Sequence, residues 1–132
     1  MNSLERWHQF AKEQDPALLD EILAADCVFF SPVVHTPQRG FAITKMYLVG
    51  AMYVLHEGFH YVKEIVDANQ AVLEFSCEID GISINGVDLV SFDDDGKICE
   101  FKVMVRPLKA INKLQQKMAE MLQSLANEEP HK

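Results

Sequence analysis

GVDLVSFDDDGKICEFKVMVRP, residues 86–107, sets apolar side chains at every second position, Val90 and Phe92 before an acidic turn and Phe101, Val103 and Val105 after it. A period of two marks a strand with one buried face, and Asp94, Asp95 and Gly96 between the two runs tolerate the dihedrals of a tight hairpin. Working outwards, residues 59–67, 70–80, 82–93 and 97–106 keep this period, with turn signals at Ala68-Asn69 and Asp80-Gly81. Links this short join antiparallel neighbours, so the second half of the chain is predicted to be a meander.

Upstream the period is helical. Leu4, Trp7, His8 and Phe10 predict a helix over 3–14, and Asp15-Pro16 reads as the cap and first turn of a second over 16–25. Residues 27–34 form a short β-rich run, 35–40 a connector, and 41–55 a largely buried third helix. Pro107 opens a last helix over 107–126, with Ile111, Leu114, Met118, Met121 and Leu125 at three-four spacing, before a frayed tail, EEPHK. That apolar seam must cover either the sheet's open edge or a second subunit.

Helices followed by strands is the α+β order. A long antiparallel sheet curls, and helices laid across its concave side leave a hollow. The expected fold is a curved antiparallel sheet wrapped around N-terminal helices, forming a cone with an internal pocket, plus a C-terminal helix. All 132 residues make one domain, 1–132, with 107–126 as a helical extension.

Charge narrows the partners. A formal charge of -8, from 20 acidic and 12 basic side chains, repels phosphate backbones and anionic leaflets, so neither nucleic acid nor membrane is an expected partner. No apolar run approaches a spanning length, and MNSLERWHQF carries charges where a signal peptide is apolar, so a cytoplasmic protein is expected. Cys27, Cys77 and Cys99 are an odd count in apolar contexts without a CxxC pair, which predicts buried free thiols.

The candidate chemistry starts at Asp88. Alternation places it with Ile82, Ile84, Val90 and Phe92 on one face, the single ionisable group in an apolar row. Facing a hollow, such a carboxyl is desolvated, its pKa rises, and in its neutral form it donates a hydrogen bond. Two other readings stay open: Asp88 caps backbone or pairs with Arg106, or a bulge at Gly86 turns the row outwards. The acidic turn fails as a calcium loop, because aligning Gly96 with the sixth position puts Lys102 where the twelfth requires glutamate.

LAADCVFFSPVVHTPQRG, residues 23–40, followed by a helix, together with 86–107, resembles the nuclear transport factor 2-like superfamily in its SnoaL-like and ketosteroid-isomerase-like branches. The resemblance covers residues 3–107; its most specific part runs from Asp88 to Ile98. It implies isomerases, dehydratases, epoxide hydrolases or polyketide cyclases, and also members without chemistry. Ketosteroid isomerases carry an oxyanion-binding tyrosine and aspartic acid, whose positions fall on Trp7 and Asp88, and a general base, whose position falls on Ser31 beside Pro32. The aspartic acid is matched. An indole N–H still donates, but a serine without a base does not abstract a carbon-bound proton. The acid of the epoxide hydrolases and cyclases falls on Val103, on a face assigned also to Cys99, Phe101 and Val105.

Histidine is the remaining substitute. The resemblance sets His35 near the pocket mouth, where it would assist Asp88 in a dehydratase-like site; His56 and His60 flank Gly58. The candidates are therefore Asp88 and His35 for catalysis, and Trp7, Phe30, Ser31, Tyr53, Phe92, Phe101 and Val103 for ligand binding, with Phe29, Tyr47, Phe75 and Met104 as further aromatic or sulfur side chains able to line a pocket. The expected function is a pocket for a small hydrophobic molecule, with binding favoured over a known activity; the alternative is a small isomerase, dehydratase or polyketide-cyclase-like enzyme using Asp88 as acid. No metal or cofactor is expected, and the resemblance implies a homodimer joined through the convex sheet face.

Overall fold

The computed structural model describes residues 2–128, with side chains as far as Ser124, so Leu125 of the helix seam and residues 129–132 of the tail lie outside the described part. Helix α1, Ser3–Glu13, begins with a reciprocal cap in which Asn2 and Glu5 each accept the other's backbone N–H. It ends at Gln14 in the left-handed conformation. Trp7 and Phe10 are its buried residues. Asp15 caps a 3-10 turn, Pro16–Leu18, which runs into α2, Leu19–Ile22.

The second helix is thus shorter than the expected 16–25, because β1, Leu23–Phe30, starts earlier than expected. Leu23 pairs with Ile98 and Phe29 with Phe101 in parallel register, and this sheet pairing overrides the helix-compatible LAAD sequence. The strand also ends earlier. The Ser31 hydroxyl accepts the N–H groups of Val33 at 3.0 Å and Val34 at 3.3 Å, a side-chain turn that takes 31–34 out of the sheet. Within the expected connector, β2, Gln38–Arg39, pairs with β1, and α3, Phe41–Val54, follows.

The meander is as expected: β3, His60–Asp67; β4, Gln70–Ile79; β5, Ile82–Phe92; β6, Ile98–Arg106. Neighbours within it are antiparallel, and β1 joins the far side of β6 in parallel, giving the order β2-β1-β6-β5-β4-β3 in one curved, unclosed sheet. Helix α4, Leu108–Glu128, closes the chain.

Register decides the facing. The β4–β5 ladder runs without a break from Gln70 opposite Ser91 to Ile79 opposite Ile82, so Gly86 forms no bulge. Glycine is needed there for another reason: a Cβ at position 86 would stand 2.4 Å from the Phe75 ring and 2.7 Å from the Met104 carbonyl. Phe75, its cross-strand partner, lies over the bare backbone. A bulge does occur between Ser91 and Phe92 on the β6 side, and it leaves Cys99 as the extra residue. Ile98, Phe101 and Val103 therefore face inwards, and the expectation that Cys99 shares their face is corrected.

Trp7, Phe10, Leu19, Phe29, Leu48 and Phe75 fill the concave side. Each such side chain contributes about 1.5–3 kcal/mol by leaving water. Helix α4 lies across the open end of the cone. Its Ala110 and Leu114 are buried, Gly50 of α3 lets Met118 and Met121 approach to 3.4 and 3.5 Å of where a Cβ would be, and Lys113 and Lys117 reach Asp80 at 3.6 and 3.2 Å. Among the described residues, the seam from Ala110 to Met121 therefore packs within the subunit. Among the described residues, no helix is long and apolar enough to cross a membrane.

Candidate functional site

A cavity of about 240 Å³ lies between the sheet and the helices. Strands β4 to β6 supply Phe75, Asp88, Phe101 and Val103; α1 supplies Trp7; α3 supplies Tyr47, Leu48, Ala51, Met52 and, just past its end, Leu55. The fourth side comes from α4, with Leu114, Gln115, Met118 and Leu122. Among the described lining residues the carboxyl of Asp88 is the single acid, and none is a histidine.

Asp88 is 5% exposed. Its cross-strand neighbours are Leu73 and Val103, so nothing beside it on the sheet neutralises a charge. One polar partner reaches it: the Tyr61 hydroxyl donates to Asp88 Oδ2 at 2.7 Å, and Trp7 Nε1 donates to that hydroxyl at 2.8 Å. The other carboxyl oxygen has no hydrogen-bond partner among the described residues, yet no buried side-chain oxygen is left unsatisfied, so that oxygen borders the cavity. Burial pushes the carboxyl up to about 7, outweighing the Tyr61 hydrogen bond that lowers it. Tyr61 is itself driven well above its usual range, first by burial and then by the neighbouring Asp88 charge.

The chain Trp7–Tyr61–Asp88 was only partly legible. Trp7 and Asp88 stand among the sequence candidates, and Tyr61 does not. The signal lay in Phe59 and Tyr61 sharing a face: a tyrosine on a buried face needs a partner for its hydroxyl. A bulge after Tyr61 frees the rest of β3 to become exposed. Behind the chain, His8 pairs with Glu64 and sets its ring edge-on to Tyr61 at 5.2 Å.

Trp7, Ser31, Phe101, Val103 and Asp88 line the cavity together, as do Phe29, Tyr47 and Phe75. The remaining candidates do not. His35 is exposed, because the Ser31 turn directs Val33 and Val34 to the cavity and carries the next residue outwards. Phe30 follows the inward Phe29 and so points to the opposite face, where Lys102 Nζ sits 4.8 Å from its ring centre. Tyr53, 62% exposed, is out of phase with the cavity-facing Leu48, Ala51 and Met52 of α3. Phe92 is buried in the core at the far end of β5, two inward positions from Asp88, and Met104 lies exposed on the convex face. His56 and His60 are exposed and bond backbone carbonyls of Tyr53 and Gly58. Arg106 is directed to Asn85, not to Asp88.

Chemically, the site is an apolar hollow with one carboxyl poised between its two protonation states. The Ser31 oxygen is occupied by two backbone N–H groups, and no acid or histidine hydrogen-bonds it among the described residues, so it is not a general base. No group of three or more histidine, cysteine, aspartate or glutamate side chains converges to hold a metal among the described residues.

A cone of this kind, with helices inside a curled sheet, defines a nuclear transport factor 2-like protein, and within that superfamily the chain belongs to the SnoaL-like domain family, whose profile matches residues 4–101. A steroid delta-isomerase from Pseudomonas aeruginosa is 35% identical, with 95% of this chain and 92% of that chain covered and a TM-score of 0.90. An uncharacterized protein with a cystatin-like fold from Silicibacter pomeroyi is 25% identical over 95% of this chain and 88% of that chain, TM-score 0.89. A putative polyketide cyclase from Sinorhizobium meliloti, at 16% identity, 77% and 93% coverage and a TM-score of 0.63, shares the fold alone. No curated protein matches the chain.

Proposed function

We propose that the protein binds a small hydrophobic molecule in the cone and holds it by one oxygen atom against Asp88. The observation that carries this reading is the Asp88 oxygen, without a hydrogen-bond partner among the described residues, bordering a largely apolar cavity. A ligand that offers this oxygen a partner gains the net worth of one hydrogen bond, about 0.5–1.5 kcal/mol, along with the burial of its own apolar surface. The test uses a bicyclic ketone, 2-decalone, against its hydrocarbon decalin. The ketone is expected to bind about tenfold more tightly, the worth of one hydrogen bond. Asparagine at position 88 keeps a donor and an acceptor, so Asp88→Asn retains the preference, whereas Asp88→Leu abolishes it. Equal binding of both probes to the parent protein, or binding of neither, contradicts the reading.

A second reading, proton transfer on a carbonyl compound, is favoured by the 35% identity to a steroid delta-isomerase. Here Asp88 alone exchanges the proton, since position 31 holds serine. Turnover of a β,γ-unsaturated ketone that disappears in Asp88→Asn while binding persists supports it; no turnover by the parent protein counts against it.

The same reading extends to assembly. Half-buried Val72, Val87 and Leu89 and the exposed Ile65 and Met104 occupy the convex sheet face, beside the hydrogen-bonded row Glu74–Asn85–Arg106. A homodimer through this face is expected to give twice the chain mass by light scattering, and Met104→Glu to give the monomer.

A further inference from the structure

We infer that Tyr61, itself oriented by Trp7, is a positioning residue that dictates which oxygen of Asp88 carries its proton, so that the neutral site offers its ligand a donor and selects an acceptor oxygen: a ketone, ester or ether. This rests on the cavity being a binding site, as proposed above, but the proton's location is testable without any ligand.

Valence fixes the direction of both hydrogen bonds. An indole N–H donates and never accepts, so with Trp7 Nε1 at 2.8 Å the Tyr61 oxygen is the acceptor in that contact. The hydroxyl hydrogen then needs an acceptor of its own. Among the described residues Tyr61 has one further hydrogen-bond partner, Asp88 Oδ2 at 2.7 Å, so the hydrogen lies there. In the reverse arrangement, with Asp88 donating from Oδ2, the Tyr61 hydrogen would have no partner in a buried setting, at a cost of about 1–3 kcal/mol. Oδ2 is therefore an acceptor in both protonation states. When Asp88 is neutral its proton sits on Oδ1, which borders the cavity.

The groups around this arrangement do not reverse it. From α1 come Trp7, which does not titrate, and His8, which faces Glu64 of β3 behind the tyrosine. From α3 the titratable cavity residue is Tyr47, and α4 offers the uncharged Gln115. Leu73 and Val103 flank Asp88 on β4 and β6. Selectivity follows. Binding of a neutral ketone draws only on the protonated fraction, so its affinity falls about tenfold per pH unit once Asp88 ionises.

The decisive experiment is infrared difference spectroscopy at pH 5, with the Asp88 carboxylic C=O band identified by its loss in Asp88→Asn. If Oδ2 is the carbonyl oxygen, Tyr61→Phe deletes the hydrogen bond to it and the band moves to higher frequency. If the proton sits on Oδ2, the carbonyl is Oδ1, which Tyr61 never touches, and an unmoved band overturns the inference. The parent protein gives a second measurement that needs no variant to fold. Trp7 is the single tryptophan, so its indole N–H is one resonance, and it should move with pH in step with Asp88 through Tyr61. An indole resonance unchanged from pH 5 to 9 overturns the inference. A shifted band combined with equal affinities for 2-decalone and decalin supports the proton placement and rejects the binding function, which separates the two failures.

Discussion

Replacing Asp88 with asparagine is expected to make the protein more stable, and only above acid pH. In the unfolded chain this carboxyl titrates near its ordinary value of 3.8, and in the folded one near 7. Between these values the folded chain holds a proton that the unfolded chain has released. The unfolded state binds fewer protons, so stability falls as pH rises through this window. The contribution is fully present below about pH 4 and is lost progressively up to about pH 7. A difference of about three pKa units at 1.36 kcal/mol each corresponds to about 4 kcal/mol. Asparagine keeps an oxygen to accept from Tyr61 and never ionises. Urea unfolding at intervals from pH 4 to pH 8 should therefore give curves that nearly coincide at the acid end and diverge by up to about 4 kcal/mol in favour of the variant at the basic end. Every other ionisable group is common to both proteins and cancels in the comparison. A difference between the two proteins that stays constant with pH would refute the reasoning.

Three more expectations follow from the geometry. Gly86→Ala must push the Phe75 ring or the Met104 carbonyl aside, so it should lower stability by about 1–3 kcal/mol in urea unfolding, as overpacking does. Cys77, buried and pushed up to about 12 by that burial, should resist a disulfide reagent until the chain unfolds, and the half-buried Cys99 should react first, as mass spectrometry of the labelled peptides would report. Val103→Asp sets a second carboxyl directly across the β5–β6 pair from Asp88; like charges disfavour joint ionisation, so 2-decalone binding should persist to higher pH in this variant than in the parent protein.

The sheet was legible because its signal is local. Residues 70–79 and 82–92 each keep a period of two on either side of a tight turn, the turns carry Asn69, Gly81 and Gly96, and one polar residue in the apolar row of β5 marks Asp88. Where partners distant in the chain decide the outcome, local pattern fell short. Residues 23–25 continue a plausible helix, yet pairing with β6, some seventy positions on, makes them strand. Cys99 follows the alternation of its strand on paper, but a bulge one pair from the hairpin shifts it off the inner face. His35 was drawn towards the cavity by resemblance, whereas the Ser31 hydroxyl, bonding two backbone N–H groups, turns the chain so that two valines take that place. Tyr61 carries no local signal because its partners, Trp7 on α1 and Asp88 on β5, lie 54 and 27 positions away in the chain, which no spacing rule encodes. Conversely, the readings of Trp7, Ser31, Phe101 and Val103 as neighbours of Asp88 depended on the superfamily's topology, and the cavity does bring them together.

The protonation state of a single side chain decides what the cavity offers a ligand, and carbon-13 NMR of the Asp88 carboxyl, assigned by its disappearance in Asp88→Asn, measures it directly. A titration midpoint close to 7 in the ligand-free protein agrees with a carboxyl held in an apolar cone by Tyr61. A midpoint close to 4 would mean that water or a cation reaches Asp88, and the cavity would then have neither its donor nor its selectivity.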